Sequence, residues 1–241
     1  MKIDVMGVKF DNVTMEEAMV RAGEILDGEK TCYVVTPNSE IVYEAMRDEE
    51  LLTLLNGADL VLPDGAGVVL GSKILGTPLQ QKVAGVDFAD NLLDVLIEKN
   101  MKLYLLGSEP GVAELAAEKM QQKHPGLQIC GMRDGFFKAE DEEQVVQEIN
   151  AAGADALFVC LGAPKQERFM KNHQDALNVK LMAGLGGSLN AFAGTMKRAP
   201  KWMIKLSLEW LYRLLKEPKR IGRMMRLPKF VLAVVGKKLK G

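Results

Sequence analysis

Ala58-Asp59-Leu60-Val61-Leu62-Pro63-Asp64-Gly65 reads as a short apolar strand stopped by a turn that carries a carboxylate. An apolar run bounded by Pro, Asp and Gly is the pattern of a buried strand and its exit turn. The pattern recurs. Tyr33-Val34-Val35-Thr36 stops at Pro37-Asn38, and Leu103-Tyr104-Leu105-Leu106 stops at Gly107-Ser108. Ala156 to Leu161 ends in Gly162-Ala163-Pro164, and a run from Lys180 to Leu185 ends in Gly186-Gly187-Ser188. Helical periodicity fills the intervals at Thr14 to Leu26, Ser39 to Leu55, Val86 to Lys99, Gly111 to Lys123 and Ala139 to Ala152. Thr14 and Glu17 have the spacing of a capping box. Met1 to Phe10 is a short strand-like run with charges and lacks the pattern of a signal peptide. Short apolar runs alternating with helices give an α/β fold with a largely parallel sheet flanked by helices.

Five strand exits thus carry small or polar residues. In open α/β sheets ligands bind beyond the carboxyl ends of the strands, where backbone N–H groups can approach a phosphate. One such turn is ordinary chain punctuation; five of the same kind point to a ligand crevice. At its rim Asp64 is suited to act as a base, because partial desolvation raises a carboxyl pKa. Pro-Asp-Gly is equally a strong turn signal, and the residues alone leave both readings open. Thr36, Asn38 and Glu40 offer groups for a sugar or phosphate, with a helix cap as the simpler role. Gly107-Ser108-Glu109-Pro110-Gly111 resembles a phosphate loop but is neither GxGxxG nor a Walker motif. Gly162-Ala163-Pro164-Lys165-Gln166-Glu167 places a cation, an amide and a carboxylate in one loop, which suits a hydroxyl-rich ligand or simply starts a solvated helix.

Composition narrows the class. The 241 residues are 48% hydrophobic and 26% charged, with a formal net charge of -1. That balance conceals an asymmetry: the stretch from Lys197 onward holds 14 of the 31 Lys and Arg but two of the 32 acids. A core over 1–195 and an appendage over 196–241 follow from this shift. The appendage sets Trp202, Leu206, Trp210, Leu211, Leu214 and Leu215 among basic residues, then continues with Met224, Met225 and Phe230 to Val235. Apolar and aromatic faces beside Lys and Arg describe a helix lying on an anionic bilayer. The competing description is a C-terminal helix packed on the domain. No segment has the roughly 20 uninterrupted apolar residues of a spanning helix. The chain is expected to be cytoplasmic and peripheral on the inner face of the membrane. Cys32, Cys130 and Cys160 are expected as buried free thiols. His124 and His173 are isolated and expected at the surface, and no metal-ligand spacing occurs.

Taken in order, these motifs resemble the WecG/TagA/CpsF family of bacterial glycosyltransferases along nearly the whole chain. The resemblance rests on Thr36-Pro37-Asn38-Ser39-Glu40-Ile41-Val42, Ala58 to Gly65, Val83-Ala84-Gly85-Val86-Asp87, Gly162 to Glu167, Gly186-Gly187-Ser188, and Lys197-Arg198-Ala199-Pro200 with Leu208-Glu209-Trp210-Leu211-Tyr212-Arg213. It implies a Rossmann-like core and an inverting, metal-independent transferase with no cofactor beyond its UDP-sugar donor. It implies UDP-N-acetylmannosamine or a related UDP-sugar as donor, and undecaprenyl-diphosphate-linked N-acetylglucosamine as acceptor. Asp64 is then the general base, and Thr36 a second catalytic group. Asn38, Lys82, Gly107, Ser108, Gln166, Gly187, Arg213, Arg220 and Arg223 are the implied substrate-binding residues. The three arginines would pair with the lipid diphosphate, and the appendage would close over the site at the membrane. Lys82 stands where the family often has Arg, and keeps the charge without the planar fork. Phe136-Phe137 lacks a tyrosine hydroxyl often present there. A homo-oligomer is possible, and nucleic acid is not an expected partner. The rival readings are a nicotinamide-dependent oxidoreductase, which needs a fingerprint this chain lacks, and a non-enzymatic membrane adaptor.

Overall fold

Six strands run parallel in the order β4-β3-β8-β7-β5-β6, so all their carboxyl ends lie along one edge. They are β3 (Cys32–Val35), β4 (Leu60–Val61), β5 (Lys102–Gly107), β6 (Gln128–Arg133), β7 (Ala156–Cys160) and β8 (Leu181–Gly184). The computed structural model describes residues 1–196, 199–200, 202–203, 209–216, 222 and 225–240. β7 and β8 are buried at every position and β3 and β5 at all but their first, as expected of parallel strands covered on both faces.

The first residues form more than the single strand-like run expected. β1 (Lys2–Val5) and β2 (Val8–Asp11) make an antiparallel hairpin whose burial alternates in β1. Asp11 fastens it to the sheet, its Oδ2 accepting from the Val61 N–H at 2.9 Å.

The helices follow the expected intervals with one correction. α1 (Met15–Asp27) starts at Thr14 with the reciprocal capping box to Glu17. The stretch 39–55, read as one helix, is two: α2 (Ser39–Ala45) and α3 (Glu49–Asn56). Asp48 breaks it, because its side chain accepts from the Leu51 N–H and so caps a new helix. α4 (Ala66–Leu75) follows the Asp64-Gly65 turn directly. Then come α5 (Gly85–Glu98), α6 (Val112–Lys123), α7 (Glu142–Ala152), α8 (Lys165–Asn172) and α9 (Ser188–Phe192).

The sheet separates two apolar cores. One face holds α1, α5 and α6; the other holds the hairpin, α2, α3, α8 and a C-terminal helix spanning Arg226–Lys240. That helix packs on α2 and α4, with Phe230 and Val234 fully buried. A Cβ on Gly71 would lie 2.9 Å from the Phe230 ring, and one on Gly67 would lie 2.9 Å from Leu227. Two glycines one turn apart thus let the C-terminal helix approach α4 closely. Its outer face leaves Leu232 and Leu239 exposed beside Lys237, Lys238 and Lys240. A shorter helix, Glu209–Lys216, leaves Leu215 exposed and Trp210 partly so. Among the described residues no helix is long and apolar enough to cross a membrane.

Both histidines depart from the expected surface position. His124 is buried at the end of α6, its Nδ1 2.8 Å from Asp94 and its Nε2 3.1 Å from Asp90. His173 is half-buried, 2.9 Å from Glu142 and against the Phe169 ring. Their carboxylate partners come from other helices, which no local spacing reveals. All three cysteines are free, but only Cys160 is fully buried; Cys32 and Cys130 are half-buried near strand ends.

Candidate active site

Two hollows lie side by side along the carboxyl edge of the sheet. The smaller, about 120 Å³, gathers Thr36 and Asn38 from the end of β3, Asp64 from the end of β4, Gln166 from α8, and the Gly186-Gly187-Ser188 turn after β8. The larger, about 660 Å³, is framed by Ser108, Gly135, Phe136, Leu161 and Asn190. Gly187 and Met196 line both, so the two hollows adjoin.

Each element brings its side chain here for a local reason. Leu62 is buried and its N–H donates to Val35, which extends the β4 pairing until Pro63 ends it. Gly65 has φ 86, a left-handed conformation that suits glycine and turns the chain sharply into α4. Asp64 is therefore held half-buried at the mouth of the turn. Asn38 caps α2, its Oδ1 accepting from the Glu40 and Ile41 N–H groups. The cap fixes the side chain and leaves its amide NH₂ outside that pairing. Thr36 is buried, and its hydroxyl donates to the Gly184 carbonyl at 2.9 Å. What it presents to the hollow is an oxygen lone pair.

The loop from Gly162 to Glu167 was expected to offer a cation, an amide and a carboxylate together. Only the amide lines the small hollow. The Lys165 ammonium donates to the carbonyls of Gly135 and Phe137, both at 3.2 Å, and so braces the rim of the larger hollow. Glu167 is 1% exposed and turned into the core. Gln166 stands between, its carbonyl accepting from the Gly186 N–H and its amide donating to Glu167.

In the larger hollow, Ser108 follows Gly107, whose φ is 127. A Cβ on Gly107 would lie 2.3 Å from the Cys160 carbonyl oxygen, so glycine is required for β5 and β7 to pair to their ends. The Ser108 hydroxyl donates to Asn190 Oδ1 at 2.9 Å. Phe136 is 73% exposed, an aromatic face open beside the hollow. Burial pushes the Cys160 thiol up to about 12, so this lining group is a neutral thiol.

Of the expected binding residues, Asn38, Ser108, Gln166 and Gly187 lie in these hollows. Gly107 shapes the strand end, and Lys82 lies in a separate groove along α4. Arg220 and Arg223 lie outside the described residues, as does the side chain of Arg213. Asn190 and the bracing role of Lys165 escape a reading of the sequence, because their partners are distant in the chain. The Gly-Gly-Ser turn at 186–188 was the available signal for Asn190, two residues beyond it. Among the described residues no cluster of three His, Cys, Asp or Glu is placed to ligate a metal.

A family model described as Glycosyl transferase WecG/TagA/CpsF family matches residues 3–241. A Bacillus spizizenii protein named N-acetylglucosaminyldiphosphoundecaprenol N-acetyl-beta-D-mannosaminyltransferase is 40% identical over 210 residues, covering 87% of this chain and 81% of its own length. The protein of the same name from Bacillus subtilis strain 168 is 38% identical over 84% of this chain and 78% of its own. The Staphylococcus aureus MRSA252 counterpart is 37% identical over 99% of this chain and 94% of its own.

Proposed function

The chain belongs to the WecG/TagA/CpsF family of glycosyltransferases, and from that premise we propose that it moves N-acetylmannosamine from UDP onto N-acetylglucosaminyl-diphosphoundecaprenol. The observation that carries the reading is the convergence of Asp64, Asn38, Thr36 and Gln166 on one small hollow beside a larger one. The larger suits a nucleotide, with Phe136 available to stack on a base. The smaller suits the sugar and the attacking hydroxyl.

In this mechanism the Gly187 N–H, whose neighbours at Gly186 and Ser188 already donate to Gln166 and Leu185, faces the diphosphate together with neighbouring strand exits, offsetting its charge without a metal. Asn38 and Gln166 position the sugars. Asp64 takes the proton of the acceptor hydroxyl as that oxygen bonds to the anomeric carbon. The bond from that carbon to the diphosphate oxygen breaks, UDP leaves with the electron pair, and the centre inverts. Arg213, Arg220 and Arg223 would grip the lipid diphosphate through charge-assisted pairs. The exposed Leu232, Leu239 and Leu215, set beside lysines, support peripheral docking on an anionic membrane face.

The test is to incubate the full chain with a panel of UDP-sugars and N-acetylglucosamine linked through diphosphate to a short lipid. UDP release and a disaccharide product with UDP-N-acetylmannosamine are expected. Turnover of a different UDP-sugar alone would replace the donor, and no transfer from any donor would overturn the reading.

A further inference from the structure

Alongside α4 runs a groove of about 470 Å³ to which the mechanism above assigns nothing. Its apolar lining includes Leu70 on α4, Trp210, and Leu227 and Val231 of the C-terminal helix. Leu70 is 48% exposed and Trp210 39%, large apolar surfaces left open in a concave site. Two cations, Lys73 and Lys82, complete it, and neither pairs with a carboxylate among the described residues.

The groove starts beside Asp64. Two chain segments have one end in each place: Asp64 lines the small hollow and Ala66 the groove, while Ala84 lines the hollow and Lys82 the groove. The Val83 N–H donates to the Pro63 carbonyl at 3.0 Å, which ties the two segments together. One end of the groove therefore adjoins the hollow that holds the base.

We infer that this groove seats the lipid end of the acceptor: Lys73 and Lys82 meet the diphosphate, and the apolar lining takes the isoprene units nearest to it. The inference rests on the transferase reading and adds to it a second anchoring point for the acceptor. The charge pattern favours this occupant. Two lysines at an otherwise apolar groove match a dianionic head on a hydrocarbon chain, whereas a nucleic acid would need a basic track. The concavity matches a single chain rather than a flat bilayer surface. Bound there, the lipid leaves the sugar to extend past Ala66 toward Asp64.

Farnesyl diphosphate, a soluble stand-in for that lipid end, tests the site without relying on catalysis. Its binding to the full chain is measured by equilibrium dialysis and by quenching of tryptophan fluorescence. Leu70→Asp should weaken it about tenfold or more, and Lys73→Gln with Lys82→Gln by a similar factor, while UDP binding stays unchanged. Leu70→Gln gives the same comparison if the aspartate variant does not fold. Unaltered farnesyl diphosphate binding in these variants overturns the inference. So does equal binding of a short-chain phosphatidylglycerol, which would make the groove a phospholipid contact, or a change in subunit association alone, which would make it a contact between copies. The two readings fail separately. Farnesyl diphosphate binding that passes, with no sugar transfer to any acceptor, sinks the transferase reading alone; transfer that ignores Leu70→Asp and lipid length sinks this one alone.

Discussion

The Gln166 amide donates to Glu167 Oε1 at 2.9 Å, and the other end of the same Gln166 side chain accepts from the Gly186 N–H at 2.9 Å. Glu167 thereby decides which way the amide faces. Its Oε2 is buried with no hydrogen-bond partner among the described residues. Burial pushes the Glu167 carboxyl above the ordinary glutamate value; the hydrogen bond from Gln166 acts the other way and is outweighed.

Glu167→Leu should therefore free the Gln166 amide and lower turnover, while Glu167→Gln, which keeps an acceptor oxygen in place, retains most of it. Steady-state kinetics on the two variants separate orientation from simple packing. The pH dependence follows from the sign of the shift. A raised folded-state pKa means the unfolded chain gives up this proton first, so native stability declines as pH rises from the ordinary glutamate range toward the raised value. Urea midpoints for the wild type should show that decline, and Glu167→Gln should lack it.

Asp64→Asn keeps the shape of the turn and removes the base. Turnover should fall by about 10²–10⁴-fold. UDP affinity, measured by calorimetry, should stay close to that of the wild type. Near-full activity would remove Asp64 from the mechanism.

Phe230 fills the space above Gly71 and is fully buried. Phe230→Ala should cost about 3–5 kcal/mol of folding stability in denaturant titration. Limited proteolysis should then cut near the C-terminal helix first.

Asp90 is shared by His124 and Lys123. Burial would raise its pKa, but the hydrogen bonds from Lys123 and His124 prevail and hold the carboxyl below the ordinary aspartate value. A depressed folded-state pKa contributes stability above the unfolded value and loses it as pH falls through the folded one. Asp90→Asn should be less stable than the wild type at neutral pH, and the gap should close in acid. Thermal melts across that range check it.

Much of this arrangement was legible in the chain. Tyr33 to Val35, Leu103 to Leu106, Ala156 to Cys160 and Leu181 to Gly184 are apolar at almost every position, because both faces of those strands are covered. β6 was not legible: Gln128–Arg133 is an edge strand of mixed polarity, exposed or half-buried throughout. α4 was hidden for a different reason. Gly67, Gly71 and Ser72 are weak helix formers, and the C-terminal helix, some 160 residues away, covers what they leave bare. Asp64, Asn38 and Gln166 were legible as polar groups at strand exits, since a parallel sheet sends all its exits to one edge. Glu167 read as a ligand-facing carboxylate because sequence spacing does not reveal which side of a helix start points inward.

The seating of Phe230 against Gly71 also has a consequence in time. α4 carries the segment that follows Asp64, yet its covering side chains are synthesised some 160 residues after it. Until Leu227 to Val234 have left the ribosome, the back of that helix stays wet. A growing chain can assemble its sheet long before it can close the support behind its base, so the finished catalyst waits for a helix made well after every strand.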